Sequence, residues 1–260
     1  MGRDAALFGP GTVTWRVNRE PVVFMGGGRA LLLQVAHPLV GAGVEQHSTY
    51  KTEPWRRLHR TLTTVLKIAF GDRETSERAA ARLRRRHDYV KGQSEEGVPY
   101  DAQDPELLLW VWATLVDTSL VLYERCLGPL GTADRDRFYE EQKRFAYACG
   151  VPEGACPHRH GDFRQYFEQI LAGELRVTRA GRDVADSIVR PPVPAPLRPL
   201  FTPGALVTAG LLPPALREQY GFRWGPRRER RLAAFLGVAR AASRVAPRPL
   251  RTLPVALASR

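Results

Sequence analysis

From Leu107 to Leu127 the chain runs through Leu109, Trp110, Val111, Trp112, Leu115, Val116 and Leu122 with Asp117 as its only charge before Glu124. Asp104-Pro105 just ahead reads as a helix cap and first helical residue: aspartate accepts from a free first-turn amide, and proline lacks an amide that would be orphaned there. A helix this long and this apolar has to be surrounded by other elements that bury it. The remaining apolar residues supply them at three- and four-residue spacing, and no alternating series marks a sheet. The prediction is an all-α chain folded as a single multi-helix globular domain, and 43% hydrophobic residues in 260 suffice for its core.

Along the chain, a first helix is expected after Gly26-Gly27-Gly28, within an apolar run from Ala30 to Val44 that is too short to span a bilayer and reads as one buried helix. A second starts after Thr52, with Pro54 in its opening turn, and ends near Gly71. A third covers Glu74 to Lys91 and stops at Gly92. After the apolar segment, helical patterns cover Ala133 to Cys149, Asp162 to Leu171 and Arg179 to Val189, followed by an extended proline-rich connector from Arg190 to Pro199. Shorter helices around Leu206 and Leu216 precede an amphipathic one from Arg227 to Val245 that suits docking onto the body, with contact to a membrane surface as the alternative. Residues 1–11 form an N-terminal arm, 12–230 the helical domain, and 231–260 a basic C-terminal helix and tail.

Two segments carry candidate chemistry. In Arg84-Arg85-Arg86-His87-Asp88-Tyr89-Val90, His87 shares a helix face with Ala80, Leu83 and Val90, so an imidazole points where the apolar residues point. Neighbouring cations disfavour imidazolium, and a metal takes the neutral ring. In Arg57-Leu58-His59-Arg60-Thr61, Arg57, Arg60 and Thr61 project from adjacent turns, while Leu58, Leu62, Val65, Leu66 and Ala69 form an opposite, core-packing flank. The plainer alternatives are a buried histidine bonded to backbone and an amphipathic helix whose arginines face water. Asp117, buried in an apolar helix, needs a partner, for which an arginine of the second segment is a candidate. Trp110, Leu115 and Leu122 are either pocket wall or core. His37 reads as a satisfied core histidine.

With Gly26-Gly27-Gly28-Arg29-Ala30-Leu31-Leu32-Leu33-Gln34 ahead of them, Leu109 to Asp117 after, Val44-Glu45-Gln46-His47-Ser48, and the late stretch Leu211 to Gly221, these segments resemble the MpaB and rubber-oxygenase family over roughly residues 12 to 230. The resemblance implies a helical domain of the rubber-oxygenase type holding haem b and oxidising an apolar substrate with dioxygen, with oxidative cleavage of an isoprenoid-like double bond as the specific version. It implies His87 as the proximal iron ligand, Arg57 and Thr61 as distal residues that contact cofactor and reactants, and His47 as a distal proton-handling group; Arg29 either reaches a haem propionate or faces solvent. Arg60 stands where the family pattern has lysine; arginine stays charged and cannot ligate iron, so the sixth position is expected to be open or held by water. Guanidinium groups from Arg57 or Arg60 and the Thr61 hydroxyl suit negative charge developing on oxygen.

Two other readings compete: a haem- or lipid-binding helical protein without turnover, and a basic domain associated with nucleic acid or a membrane surface. The formal charge of +12 attracts anions generally, but arginine is scattered through nearly every segment, so specific nucleic-acid recognition is not expected. Cys126, Cys149 and Cys156 form no paired framework, and no amino-terminal stretch has the pattern of a signal peptide, which points to a reducing cytoplasm. Cys149, Cys156, His158 and His160 match no zinc spacing and read as a loop region without metal. No dinucleotide fingerprint or phosphate loop occurs, since the three glycines lack the strand that would precede them.

Overall fold

In the computed structural model, which describes residues 6–191 and 193–258, the predicted cap at Asp104 accepts from the Glu106 amide and opens the central helix. In chain order the elements are α1 (Val13–Asn18), α2 (Pro21–Phe24), α3 (Gly27–Ala36), α4 (Pro38–His47), α5 (Pro54–Phe70), α6 (Arg73–His87), β1 (Lys91–Gln93), β2 (Pro99–Asp101), α7 (Pro105–Cys126), α8 (Thr132–Cys149), α9 (His160–Gly173), α10 (Arg179–Val189), α11 (Arg198–Gly210), α12 (Pro214–Gln219), α13 (Pro226–Val245), α14 (Arg248–Arg251) and α15 (Leu253–Ala258). The fold is all-α apart from one small hairpin. Helices α1, α2, α3, α8 and α13 pack on α7, and α5 packs on α6, α8 and α15. By length and composition α7 would cross a bilayer, but 67% of that stretch is buried inside the molecule, as a core helix requires.

Several boundaries differ from the sequence reading. The run from Ala30 to Val44 is broken at His37-Pro38, where the chain bends by 109° between α3 and α4. Proline forces its predecessor out of helical conformation, and His37 is extended. α6 ends at His87 instead of Lys91 because Lys91 enters an antiparallel pair, Lys91 with Asp101 and Gly92 with Tyr100. Three-residue strands fall below the length at which alternation can be recognised.

The proline-rich connector is only partly extended: a 3-10 turn covers Ala195–Leu197 and α11 begins at Arg198. The division at residue 230 falls inside α13, whose Leu232 and Leu236 are buried, and Ala258 of α15 is 1% exposed, so the described residues of this stretch, 231–258, pack on the body. Residues 1–5 of the expected arm lie outside the described residues. The remainder is not an arm, since Phe8 is 1% exposed and its amide donates to the Ala69 carbonyl.

Glycines bring the helices together. A Cβ on Gly26 would lie 2.4 Å from Thr118 Cγ2 on α7, and one on Gly28 would lie 2.2 Å from Thr208 Oγ1 on α11. Only the bare backbone lets α3 sit between both neighbours.

Candidate functional site

One face of α3, carrying Gly27, Leu31 and Gln34, and one face of α7, carrying Leu108, Val111, Leu115, Thr118 and Ser119, leave a string of cavities between them. The spacings of three and four residues put each set on a single stripe. The first cavity, about 180 Å³, is completed by Arg57, Leu58, Thr61, Leu62 and Val65 of α5. Another, about 260 Å³, is completed by His87, Val90, Tyr100, Gly43, His47 and Ser48. Gln34 lines both and stands between them, its side chain donating to Thr114 Oγ1 at 2.9 Å. A third, about 290 Å³, shares Gly27, Leu31, Arg57 and Leu58 with the first and opens toward α10 and α11.

His87 sits at one end of this string, at the last turn of α6. Burial lowers its pKa, against a smaller opposing effect of Asp88, so the ring is neutral near pH 7. The expected cause was the flanking arginines, yet Arg85 and Arg86 are exposed and Arg84 donates to the Ala148 carbonyl; desolvation holds the ring neutral instead. Among the described residues, no protein group hydrogen-bonds its ring nitrogens. The hairpin fixes where α6 stops: the Val90 amide donates to the His87 carbonyl and the Ala102 amide to the Val90 carbonyl.

Arg57 is half-buried, and its Nε donates to Ser48 Oγ at 2.6 Å. No carboxylate faces it among the described residues. Burial and then repulsion from Arg60 lower its pKa, against a smaller opposing effect of Tyr50. Because Ser48 lines the His87 cavity, this bond ties the wall carrying Arg57 to the wall carrying His87. Thr61 faces the same cavity as Arg57. Arg60 lines none of the three cavities and is withdrawn from the expected donors. Leu58 and Leu62, read from the sequence as a core flank opposite the arginines, line the cavity beside them, and Leu58 is 44% exposed.

Other expected roles change. Arg29 is 4% exposed and spends its three nitrogens on Asp117 Oδ2 at 2.7 Å, Thr118 Oγ1 at 2.6 Å and the Leu211 carbonyl at 2.7 Å. It therefore neither reaches a propionate nor faces solvent. It is the partner Asp117 required, with Arg164 at 2.8 Å on the other carboxylate oxygen, and no arginine of α5 is involved. His47 lines the cavity that holds His87 and not the one that holds Thr61. Its Nε2 lies 3.1 Å from the Lys91 carbonyl, an acceptor, so that nitrogen carries the proton and is unavailable to a metal. Trp110 and Leu122 are core, with the Trp110 indole donating to the Leu33 carbonyl; Leu115 alone of that trio lines a cavity. His37 is not the satisfied histidine expected: its Nδ1 is buried without a partner and its Nε2 is 3.6 Å from Glu174.

Sequence reasoning missed Gln34, Ser48 and Tyr100. A lone amide inside the apolar run of α3 was the available signal for Gln34. Tyr100 follows only from the hairpin, where its hydroxyl donates to Gln46 Oε1 at 2.7 Å.

A model of the catalytic domain described as ER-bound oxygenase mpaB/B'/Rubber oxygenase matches residues 15–241. Two proteins named only as uncharacterized, Mb2261 of Mycobacterium bovis and Rv2237 of Mycobacterium tuberculosis, are each 33% identical over 228 residues, covering 84% of this chain and 87% of theirs. No solved structure matches.

Proposed function

The chain belongs to the MpaB and rubber-oxygenase catalytic-domain family, and from that premise we propose that it is a haem b-dependent oxygenase that uses dioxygen to oxidise an apolar substrate. The observation that carries the reading is Arg57: a half-buried guanidinium without a carboxylate, beside Thr61, in a cavity separated from the His87 cavity by Gln34, which borders both. A neutral imidazole free of protein partners at one end and uncommitted donors farther along are the donor set a haem needs, so the residues present fit the group. Mostly apolar walls between them suit the faces of a porphyrin.

His87 would hold the iron through one ring nitrogen. When bound, haem supplies the iron-centred oxidation by dioxygen that no side chain here can perform. Arg57 and Thr61 would supply fixed donors where negative charge develops on oxygen, in a site whose leucine and valine walls exclude water. Ser48, by taking the Arg57 Nε hydrogen, fixes the guanidinium plane. Arg60, standing where the family pattern has lysine, cannot ligate iron because a guanidinium does not deprotonate. In the specific version, cleavage of an isoprenoid-like double bond, both atoms of dioxygen end in two carbonyl groups, and no separate reductant is consumed.

Purified haem-loaded protein incubated with a panel of isoprenoids and long-chain lipids should consume dioxygen with at least one of them. Tight haem binding without uptake across the panel would replace this reading with that of a haem-binding protein lacking turnover.

A further inference from the structure

The outward face of α6 carries a stripe of arginine that the rest of the protein leaves largely uncompensated. Arg78, Arg82, Arg85 and Arg86 follow one another at three- and four-residue spacing from Arg78 and Arg82, which puts them on one side of the helix. All four are exposed, none lines a cavity, and Tyr89, 81% exposed, follows just past the helix end. Glu74 pairs with Arg78 at 3.1 Å, and among the described residues no carboxylate reaches Arg82, Arg85 or Arg86. Cations in the last turn of a helix offset its dipole, which accounts for Arg85 and Arg86 but not for Arg78 and Arg82 above them. Like charges at this spacing repel by about 0.2–0.5 kcal/mol per pair, so the stripe costs the isolated chain stability that an acidic partner would restore.

His87 stands on the opposite side of the same helix, nine residues after Arg78 or about two and a half turns, beside buried Ala80 and core-packed Leu83. Only the thickness of one helix, about 10 Å, separates the stripe from it. Haem reacts with dioxygen as iron(II), and the sequence has no dinucleotide fingerprint with which the chain could draw the electron from a nicotinamide by itself. We propose that the arginine stripe of α6 is the docking surface for an acidic one-electron carrier protein, which delivers its electron through the helix that bears His87. The proposal deepens the oxygenase reading and rests on it for the destination of the electron. One electron leaves the carrier, which is oxidised by one unit, and the iron passes from iron(III) to iron(II); no bond is made or broken. Guanidinium forks match the carboxylates of an acidic protein surface. Glu74 and Glu77 bound the stripe at one end and Asp88 at the other, which opposes a phosphate backbone running past it. Tyr89 is the one large apolar side chain exposed there among the described residues, too little to enter a bilayer.

The test is calorimetric titration of the full-length chain, haem-loaded and haem-free, with an acidic plant-type ferredoxin and with basic cytochrome c, at low and high salt. Ferredoxin should bind about tenfold or more tightly than cytochrome c, and the preference should fade as salt screens it. Arg82→Glu, Arg85→Glu and Arg86→Glu together should weaken ferredoxin binding by about tenfold or more. The same change of charge at exposed positions of α13, Arg227→Glu with Arg230→Glu and Arg231→Glu, should leave it within about threefold of wild type. Glutamine at the three α6 positions serves if the glutamate variant does not fold. On haem-loaded protein, reduction by reduced ferredoxin under argon, followed as the shift of the Soret band, should slow in the α6 variant and not in the α13 variant. Unchanged ferredoxin binding in the α6 variant, an equal loss in the α13 variant, or tighter binding of cytochrome c would overturn the proposal. So would duplex DNA or phosphatidylglycerol vesicles held by the stripe more tightly than ferredoxin at the same salt. A missing Soret band with stripe-dependent ferredoxin binding intact overturns the haem assignment alone and leaves the docking surface standing.

Discussion

Arg57 spends one donor on Ser48 and keeps the others for the cavity, whereas Arg60, three residues on, faces none of it. Spacing in the sequence could not separate them, because both project from adjacent turns and only the packing of α5 on α6, α8 and α15 decides which turn sees the slot. Arg57→Gln should therefore retain haem and lower dioxygen uptake by about 10²–10³, the scale of losing one preorganised donor, while Arg60→Gln stays near wild type. Steady-state oxygen-electrode rates check both. His160 gives a separate test. Its Nε2 is buried without a partner, its ring stacks on Phe163, and burial lowers its pKa; Asp136 and Glu124 oppose that shift, and Arg164 and Arg135 add to it. Between that lowered value and the unfolded 6.5 the unfolded chain binds more protons, so stability is full above pH 6.5 and falls as pH drops through the folded value. His160→Phe should make the fall of Tm below pH 6.5 shallower. His37 and His87, also lowered by burial, keep part of it.

At the scale of elements, α7 was legible from Asp104-Pro105 onward because its cap and composition are local signals. The break between α3 and α4 was legible in principle from Pro38, but the continuous apolar run masked it. The hairpin was not legible: its strands are three residues each and are held by contacts distant in sequence, such as Gln46 Nε2 to the Gln93 carbonyl at 2.8 Å. That hairpin decides where α6 ends, and hence where His87 points. The glycines that open α3 have distinct duties that the sequence shows only as a run. Gly28→Ala should destabilise by about 1–3 kcal/mol through overpacking against Thr208, while Gly27→Ala, whose Cβ meets nothing within 4 Å, should stay within about 0.5 kcal/mol of wild type. Denaturant melts at constant m-value separate the two.

Across the molecule, helices distant in sequence build one string of cavities around α7, and the Arg29, Asp117 and Arg164 cluster locks α3, α7 and α9 beside it. A buried charge network of this kind is costly to break from one side, which is the work Arg29 does in place of the cofactor contact expected of it. The family resemblance located His87, Arg57 and Thr61 in the chain; the packing supplied what spacing lacked, namely that they line neighbouring cavities that share Gln34. The measurement that bears most directly on this account is the absorption spectrum of wild-type and His87→Ala protein after haem reconstitution and desalting. The wild-type chain should keep a Soret band at about one haem per chain, and His87→Ala should lose it while its helical circular dichroism is unchanged. A wild-type chain without a Soret band, or a His87→Ala variant that keeps haem as well as wild type, would contradict it.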